Sequence, residues 1–367
     1  MIFMEKHHQK AALLEFSTGH VECLYSQASF LKDAGYEVHL ICPMACRERV
    51  SVYDKVDVFH FLPESRSNRG HLKQALRIGR ILKTHTVRLL VINTFMGKEI
   101  LWLLPFTRRV RMACVLHWLG KLKRSVSLRI IRMKIRRFFV LSDHLLEQIP
   151  KKQRTRFQAF YPIFLPEFKR ITLSKPEEEL WICMPGNIEY RRRNYPLLLK
   201  HLDDSLDKRV RFILLGDLLH PSGDGLDFRR RLERNGWADR FVTFEGSIPD
   251  PVFQSHVKHS DLIMPLLRGR PRYLTSAVSG AFNLAFYYKI PMLIEEEFAE
   301  IEDLANSSIV IRPEDLTAVL NRLVVDRDPL RNRIRSIKEN PKFSYDVQYK
   351  RYVDFLKSPP TIRDDNM

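Results

Sequence analysis

Residues Ala11–Cys42 read AALLEFSTGHVECLYSQASFLKDAGYEVHLIC, and the architecture follows from them. Ala11–Phe16 is a short apolar run suited to a buried strand, and Ser17-Thr18-Gly19-His20 interrupts it. Val21, Leu24, Ala28 and Leu31 then recur at helical spacing until Gly35, after which Glu37–Cys42 resumes as a strand. Two strands joined through a helix form a βαβ unit, the connection that parallel pairing needs because a hairpin cannot supply it.

The alternation continues outward. Apolar runs at Val56–His60, Arg88–Asn93, Arg111–His117 and Phe138–Leu141 are separated by helix-length segments, which predicts one parallel sheet over residues 1–165. Tyr161–Glu179 (YPIFLPEFKRITLSKPEEE) has three prolines, a charge cluster and no period, and reads as a linker. Beyond it, strand-like runs at Leu180–Met184, Val210–Leu215, Phe241–Glu245, Leu262–Met264, Pro291–Ile294 and Ser308–Ile311 are spaced by helices such as Phe228–Asn235, which Gly236 ends. The expectation is an α/β protein of two doubly wound parallel-sheet domains, 1–165 and 166–342, facing a cleft. A closing helix, Phe343–Leu356, and a polar tail complete it at 343–367.

Composition narrows the class. At 367 residues the chain exceeds one typical core, and 45% hydrophobic with 28% charged residues is globular rather than disordered. Cys23, Cys42, Cys46, Cys114 and Cys183 are scattered without CxxC pairs or matching histidines, which predicts a reducing cytosol and no zinc. There is no eighteen-residue apolar span, and MIFMEKHHQK lacks the apolar core of a signal peptide. Of the net charge of +18, all but one unit lies in residues 1–165, which hold 29 Lys/Arg against 12 Asp/Glu. Such asymmetry points to an anionic partner for that half.

The second half carries the most informative motifs. Leu180–Leu199 (LWICMPGNIEYRRRNYPLLL) is a strand, a glycine turn at Gly186, a basic cluster and a helix. Phe212–Asp217 (FILLGD) follows, and then Phe241–Leu266 (FVTFEGSIPDPVFQSHVKHSDLIMPL), with Gly246, Asp261 and Pro265 at the spacing of a V-x-F-x-G … A-D-(x)3-P segment. In this order the motifs resemble the donor half of GT-B glycosyltransferases, built from two Rossmann-like domains and nearest to the family 4 and family 1-like bacterial enzymes. The resemblance covers nearly the whole chain. It implies transfer of a sugar from a nucleotide-sugar donor to a glycan or lipid-linked glycan acceptor, with retained configuration and without a metal or other cofactor.

A diphosphate leaving group needs positive charge and helix N-terminal amides. Arg191, Arg192 and Arg193 stand after a strand and before a helix, as that task requires, with Arg192 and Arg193 favoured by position. A solvated basic turn is the alternative. Thr275-Ser276-Ala277-Val278-Ser279-Gly280 is a small-residue loop opening a helix, where Ser276, Ser279, Gly280 and Asn283 either bind donor or cap and pack. The family places a Glu pair with seven residues between them here, but this chain has Ser276 and Leu284, which also admits a non-catalytic nucleotide-sugar or glycan-binding protein. His117 ends a strand where the family has a histidine near the transferred sugar. Gly19 and His20 occupy the first β–α turn, where acceptor and donor phosphate approach and glycine allows a close backbone.

From Ile100 to Ser142 there are eleven Lys/Arg and no acid. A helix there places Leu122, Val126, Ile130 and Met133 or Lys134 on one face, beside Lys121, Lys123, Arg124, Arg129, Arg132, Lys134, Arg136 and Arg137. Such an element suits an anionic membrane surface or the sheet itself, and predicts a peripheral protein on the inner face of the membrane. No nucleic-acid module accompanies the charge, which argues against a nucleic-acid partner.

Overall fold

The computed structural model describes residues 9–359 except 65, 66, 123–125, 170, 222 and 269. The chain forms two compact units. One runs to Pro166 and takes up the chain again at Ser344, and the other is Glu167–Phe343.

The first unit contains β1 (Lys10–Leu14), β2 (Glu37–Pro43), β3 (Val58–Leu62), β4 (Leu89–Ile92), β5 (Arg111–Leu116), β6 (Arg137–Val140) and β7 (Phe157–Ala159), in the order β3-β2-β1-β4-β5-β6-β7. The second contains β8 (Leu180–Pro185), β9 (Val210–Asp217), β10 (Phe241–Phe244), β11 (Leu262–Ile263), β12 (Met292–Glu295) and β13 (Ser308–Ile311), in the order β10-β9-β8-β11-β12-β13. Every pairing is parallel. Crossover helices cover both faces of such a sheet, so its central strands are apolar throughout. Leu89–Ile92 and Leu180–Pro185 are buried at every residue.

Both sheets wind outward from a central pair, β1 and β4 in one and β8 and β11 in the other. At these pairs the crossovers leave in opposite directions and open a crevice at the carboxyl ends of the strands.

Three elements differ from the sequence expectation. β7 is only three residues, too short for a periodic signal. The loop expected from Thr275 begins a residue later, because a short helix occupies Arg270–Thr275. The closing helix spans Tyr345–Lys357 and packs into the first unit. There the fully buried Tyr352 stacks on Phe139 with centroids 4.5 Å apart, and Tyr161 N donates to Gln348 Oε1 at 2.8 Å. Among the described residues, no helix is long and apolar enough to cross a membrane, and all five cysteines are free and buried.

Candidate functional site

In the first unit, the β1/β4 crevice holds a buried carboxylate. Glu15, one residue past β1 and 1% exposed, accepts hydrogen bonds from Ser17 N (2.8 Å), Ser17 Oγ (2.9 Å), Asn93 Nδ2 (2.6 Å) and Thr94 Oγ1 (2.6 Å). Burial raises its pKa, and these donors oppose the rise. Asn93, one residue past β4, is the hub. Its Oδ1 accepts from Gln27 Nε2 at 2.6 Å, its Nδ2 also donates to His20 O at 2.9 Å, and its carbonyl meets His117 Nε2 at 2.7 Å.

That last contact settles a tautomer. A carbonyl only accepts, so Nε2 carries the hydrogen and Nδ1 of His117 is left with a lone pair. Burial and the stacked His20 ring, 3.8 Å away between centroids, push His117 down to about 3. The imidazole is therefore neutral at pH 7, and it offers an acceptor at the carboxyl end of β5. Burial alone would raise the carboxyl of neighbouring Glu22, but His20, 3.6 Å from it, turns the net shift downward.

The first turn is open at Gly19. A Cβ there would meet only Ser17 Oγ at 3.7 Å, an ordinary contact. The left-handed residue is His20, with φ 68°, and this conformation lays its ring on His117. Glu15, Asn93, Thr94 and Glu22 escaped the sequence reading because each reads as a strand or turn residue. The available signal was a Glu and an Asn at the ends of two otherwise apolar strands.

In the second unit, the β8/β11 crevice holds a cation. Arg193 donates through Nη1 to Pro265 O (2.6 Å) and through Nη2 to Pro185 O, fastening the carboxyl ends of β8 and β11 together. This corrects the expectation that its guanidinium is presented to phosphate. Gly186 takes φ +105°, a conformation that favours glycine, and a Cβ there would also lie 2.6 Å from Arg193 Nη2. Arg191 and Arg192 remain exposed, and Arg192 is 3.8 Å from Glu189. Asp261 lies at the opposite edge, accepting from Trp181 N (2.7 Å) and Lys175 Nζ (2.6 Å) ahead of β11. Gly246, at φ +85°, donates its N–H to Asp217 Oδ1 at 2.8 Å.

The helix Gly280–Tyr288 is capped by Ser279, whose Oγ accepts from Ala281 N at 3.4 Å. Gly280 is exposed, with nothing within 4 Å of a Cβ. Asn283, one turn inside, is 9% exposed, and its Oδ1 is buried with no hydrogen-bond partner among the described residues. Such an orphan costs about 1–3 kcal/mol unless a ligand donor meets it. The Ser276 hydroxyl donates to Arg272 O at 3.0 Å and so acts locally. Beside this helix an apolar pocket opens, lined by Pro265, Leu266, Phe282, Ile294, Glu295 and Phe298. Leu266 takes a left-handed φ of 49°, a conformation that concentrates at functional loops.

The basic element is shorter than expected and turned. Lys123 and Arg124 lie outside the described residues. The helix Val126–Lys134 buries Leu128 and Ile131 and leaves Val126 (74%), Ile130 (45%) and Met133 (76%) exposed, so the anticipated apolar stripe is the face that does not pack. Lys121 and Arg129 are exposed. Arg132, Lys134 and Arg137 donate instead to Gln153 Oε1 (3.1 Å), Arg108 O (3.1 Å) and Phe355 O (2.8 Å), and Arg136 is half-buried.

No protein-family model matches this sequence, and no curated protein matches it. Solved structures do. A glycosyltransferase from Rickettsia africae ESF-5 aligns at TM-score 0.65 and 13% identity, over 96% of this chain and 100% of that one. Sucrose-phosphate synthase from Thermosynechococcus elongatus aligns at 0.61 and 14%, over 95% and 98%. UDP-GlcNAc 2-epimerase from Neisseria meningitidis, solved with UDP-GlcNAc, aligns at 0.61 and 9%, over 95% and 99%. At these identities the likeness is one of fold, and the fold is GT-B.

The neutral His117 carries a pH signature. Its folded-state value of about 3 lies below the ordinary 6.5, so between these limits the unfolded chain binds a proton that the folded chain refuses. The stability this ring contributes is present above about pH 6.5 and is lost as pH falls toward 3. His117→Gln removes that uptake, and its urea midpoint should fall less between pH 7 and pH 4 than that of the wild type. Equal losses would place the proton on His117 in the folded state as well.

Proposed function

We propose that the protein is a glycosyltransferase, moving a sugar from a nucleotide-sugar donor to a glycan or lipid-linked glycan acceptor. The observation that carries this reading is the buried, unpartnered Asn283 Oδ1, one turn inside an open helix N-terminus of a GT-B donor-type domain. A ribose or sugar hydroxyl supplies the missing donor, and an apolar pocket beside it suits the flat face of a base. Diphosphate is met by the exposed Arg191 and Arg192 and by the amides at Ser279 and Gly280. Gly186 and Arg193 hold the turn that carries these arginines, and Ser276 shapes the approach to the helix.

On the first unit, the lone pair at Nδ1 of His117 accepts a hydrogen bond from a sugar hydroxyl. A neutral ring there supports a developing positive centre without repelling it. Gly19 and His20 form the acceptor side. Retention and independence from a metal belong to this proposal, as does synthesis of a polysaccharide or cell-surface glycan.

The second reading, a non-catalytic binder of nucleotide sugars or glycans, is favoured by Ser276 and Leu284, which put no carboxylate where the resembled enzymes have two. The epimerases that share the fold make a third outcome testable. All three readings bind donor, so the donor site is tested first, by thermal shift with UDP-, GDP-, ADP- and CMP-sugars. One class should stabilise the chain by mass action. For that donor, Arg192→Ala should weaken binding about 10- to 100-fold and Asn283→Leu about 3- to 10-fold, the worth of one charged and one neutral hydrogen bond. Unchanged affinity in both folded variants would remove these residues from a donor site.

The acceptor side, in this reading, works against an anionic membrane on the inner surface. Val126, Ile130 and Met133 enter the interface, with Lys121 and Arg129 beside them. Attraction of this kind is screened over about 8 Å at physiological salt. Co-sedimentation with vesicles containing anionic lipid should therefore weaken as salt rises, and further when Val126, Ile130 and Met133 become Ser. Equal sedimentation of both proteins, or of neither, would contradict the membrane assignment, as would retention on RNA but not on vesicles.

A further inference from the structure

A separate cluster lies away from the polar strand ends described above. His39 is the third residue of β2 and is 0% exposed. His60 is the third residue of β3, and because His39 pairs with Val58, two residues earlier, the two imidazoles share one face of the sheet. His85 follows the helix Asn68–Thr84, which crosses back from β3 toward β4. Thr86 closes that helix in the left-handed conformation, φ 54°, with Thr86 N donating to Lys83 O at 3.1 Å and Val87 N to Leu82 O at 2.9 Å. This end fixes His85 beside the other two rings, with centroids 4.8 Å from His39 and 5.0 Å from His60.

The ring nitrogens converge. One from each histidine lies within 4.8 Å of the other two, and His39 Nδ1 is 3.0 Å from His60 Nε2. In tetrahedral zinc sites, Zn–N bonds of about 2.0–2.1 Å put ligand nitrogens about 3.3 Å apart, so small side-chain rotations suffice. The outer partner is also in place. His39 Nε2 meets Glu37 Oε1 at 2.9 Å, and Glu37 is held by Lys10 at 3.1 Å. A carboxylate taking the proton of one ring nitrogen leaves the other as a lone pair, the arrangement that orients a metal-binding histidine. Burial and the two neighbouring rings push His60 down to about 4, so it is a neutral donor at pH 7.

We propose that His39, His60 and His85 form a three-imidazole site for a divalent ion of the zinc class, with water as the fourth ligand. The donor set is all nitrogen, which suits zinc and its neighbours and not magnesium or calcium, whose ligands are oxygens. The site binds the edge strand β3 and the returning helix end to β2. It lies toward the amino end of β2, whereas Glu15, Asn93 and His117 lie past the carboxyl ends of their strands, so the ion is a clamp on the first domain and takes no part in chemistry there. The three residues are 21 and 25 positions apart, a spacing that matches no sequence pattern, which is why the sequence predicted no metal.

The test uses the full chain after chelator treatment, titrated with Zn²⁺ alone, with metal content, melting temperature and the visible spectrum of the Co²⁺-substituted protein as readouts. One ion per chain, a raised melting temperature and tetrahedral Co²⁺ bands are expected, with no rise from Mg²⁺. His60→Gln with His85→Gln should bind at least about 100-fold more weakly while its metal-free melting temperature stays at the wild-type value. Absence of a bound ion in the wild type, an equal response to Mg²⁺, or the same stoichiometry and spectrum in the double variant would overturn the site. A double variant that melts early without metal would be replaced by His85→Gln alone, for which retained tetrahedral binding has the same consequence.

Discussion

Each sheet reverses its direction of winding once, and at that reversal two neighbouring strands end with nothing crossing above them. Strand-end carbonyls and amides face a gap there, and buried polar groups without partners are costly. The chain closes both gaps with a charged side chain of opposite sign. Glu15 takes four hydrogen bonds in the β1/β4 crevice, and Arg193 gives bonds to the ends of β8 and β11. The residues around them are placed in turn: Asn93 holds His117 by its carbonyl, and Gly186, at φ +105°, turns the chain beside Arg193 Nη2. The candidate site residues thus stand on the rims of two plugged crevices.

The first plug is tied to the end of the chain. Tyr352 donates to Gln27 Oε1 at 3.1 Å, Gln27 donates to Asn93 Oδ1, and Asn93 donates to Glu15. A helix that begins more than 160 residues beyond the linker therefore completes the hydrogen-bond network beneath His117. Networks of this kind strengthen each member and make each loss expensive, so the last helix is part of the site's framework as well as of the core.

The fold was legible because apolar strands and their turns carry short-range signals. Ser308–Ile311 was read to its exact bounds, while the three-residue β7 had no period to read. Partnership was harder. A helical pattern such as that of Phe343–Leu356 gives a face without saying which domain it meets, and in Val126–Lys134 the stripe that suited either a membrane or the sheet is the one left exposed. Strand-end position placed His117 after β5 and the glycine turn after β8, where the structure has them. It could not distinguish an arginine presented to solvent from one turned onto two carbonyls, as Arg193 is. Nor could it show that His20, whose ring stacks on His117, takes the left-handed conformation in that turn. His39, His60 and His85 meet only through sheet register and a helix return, which no local pattern encodes.

The proposal at the centre of this account is glycosyl transfer from a bound nucleotide sugar, with His117 needed for turnover. Its most direct measurement is the fate of the bound nucleotide sugar incubated with the intact chain, separated into free nucleotide, unchanged donor and altered sugar. The account predicts slow release of free nucleotide, sharply reduced in His117→Ala while donor affinity is kept. Donor recovered unchanged by both proteins would make the molecule a binding protein, and donor recovered with an inverted sugar carbon would make it an epimerase. Either result would contradict glycosyl transfer.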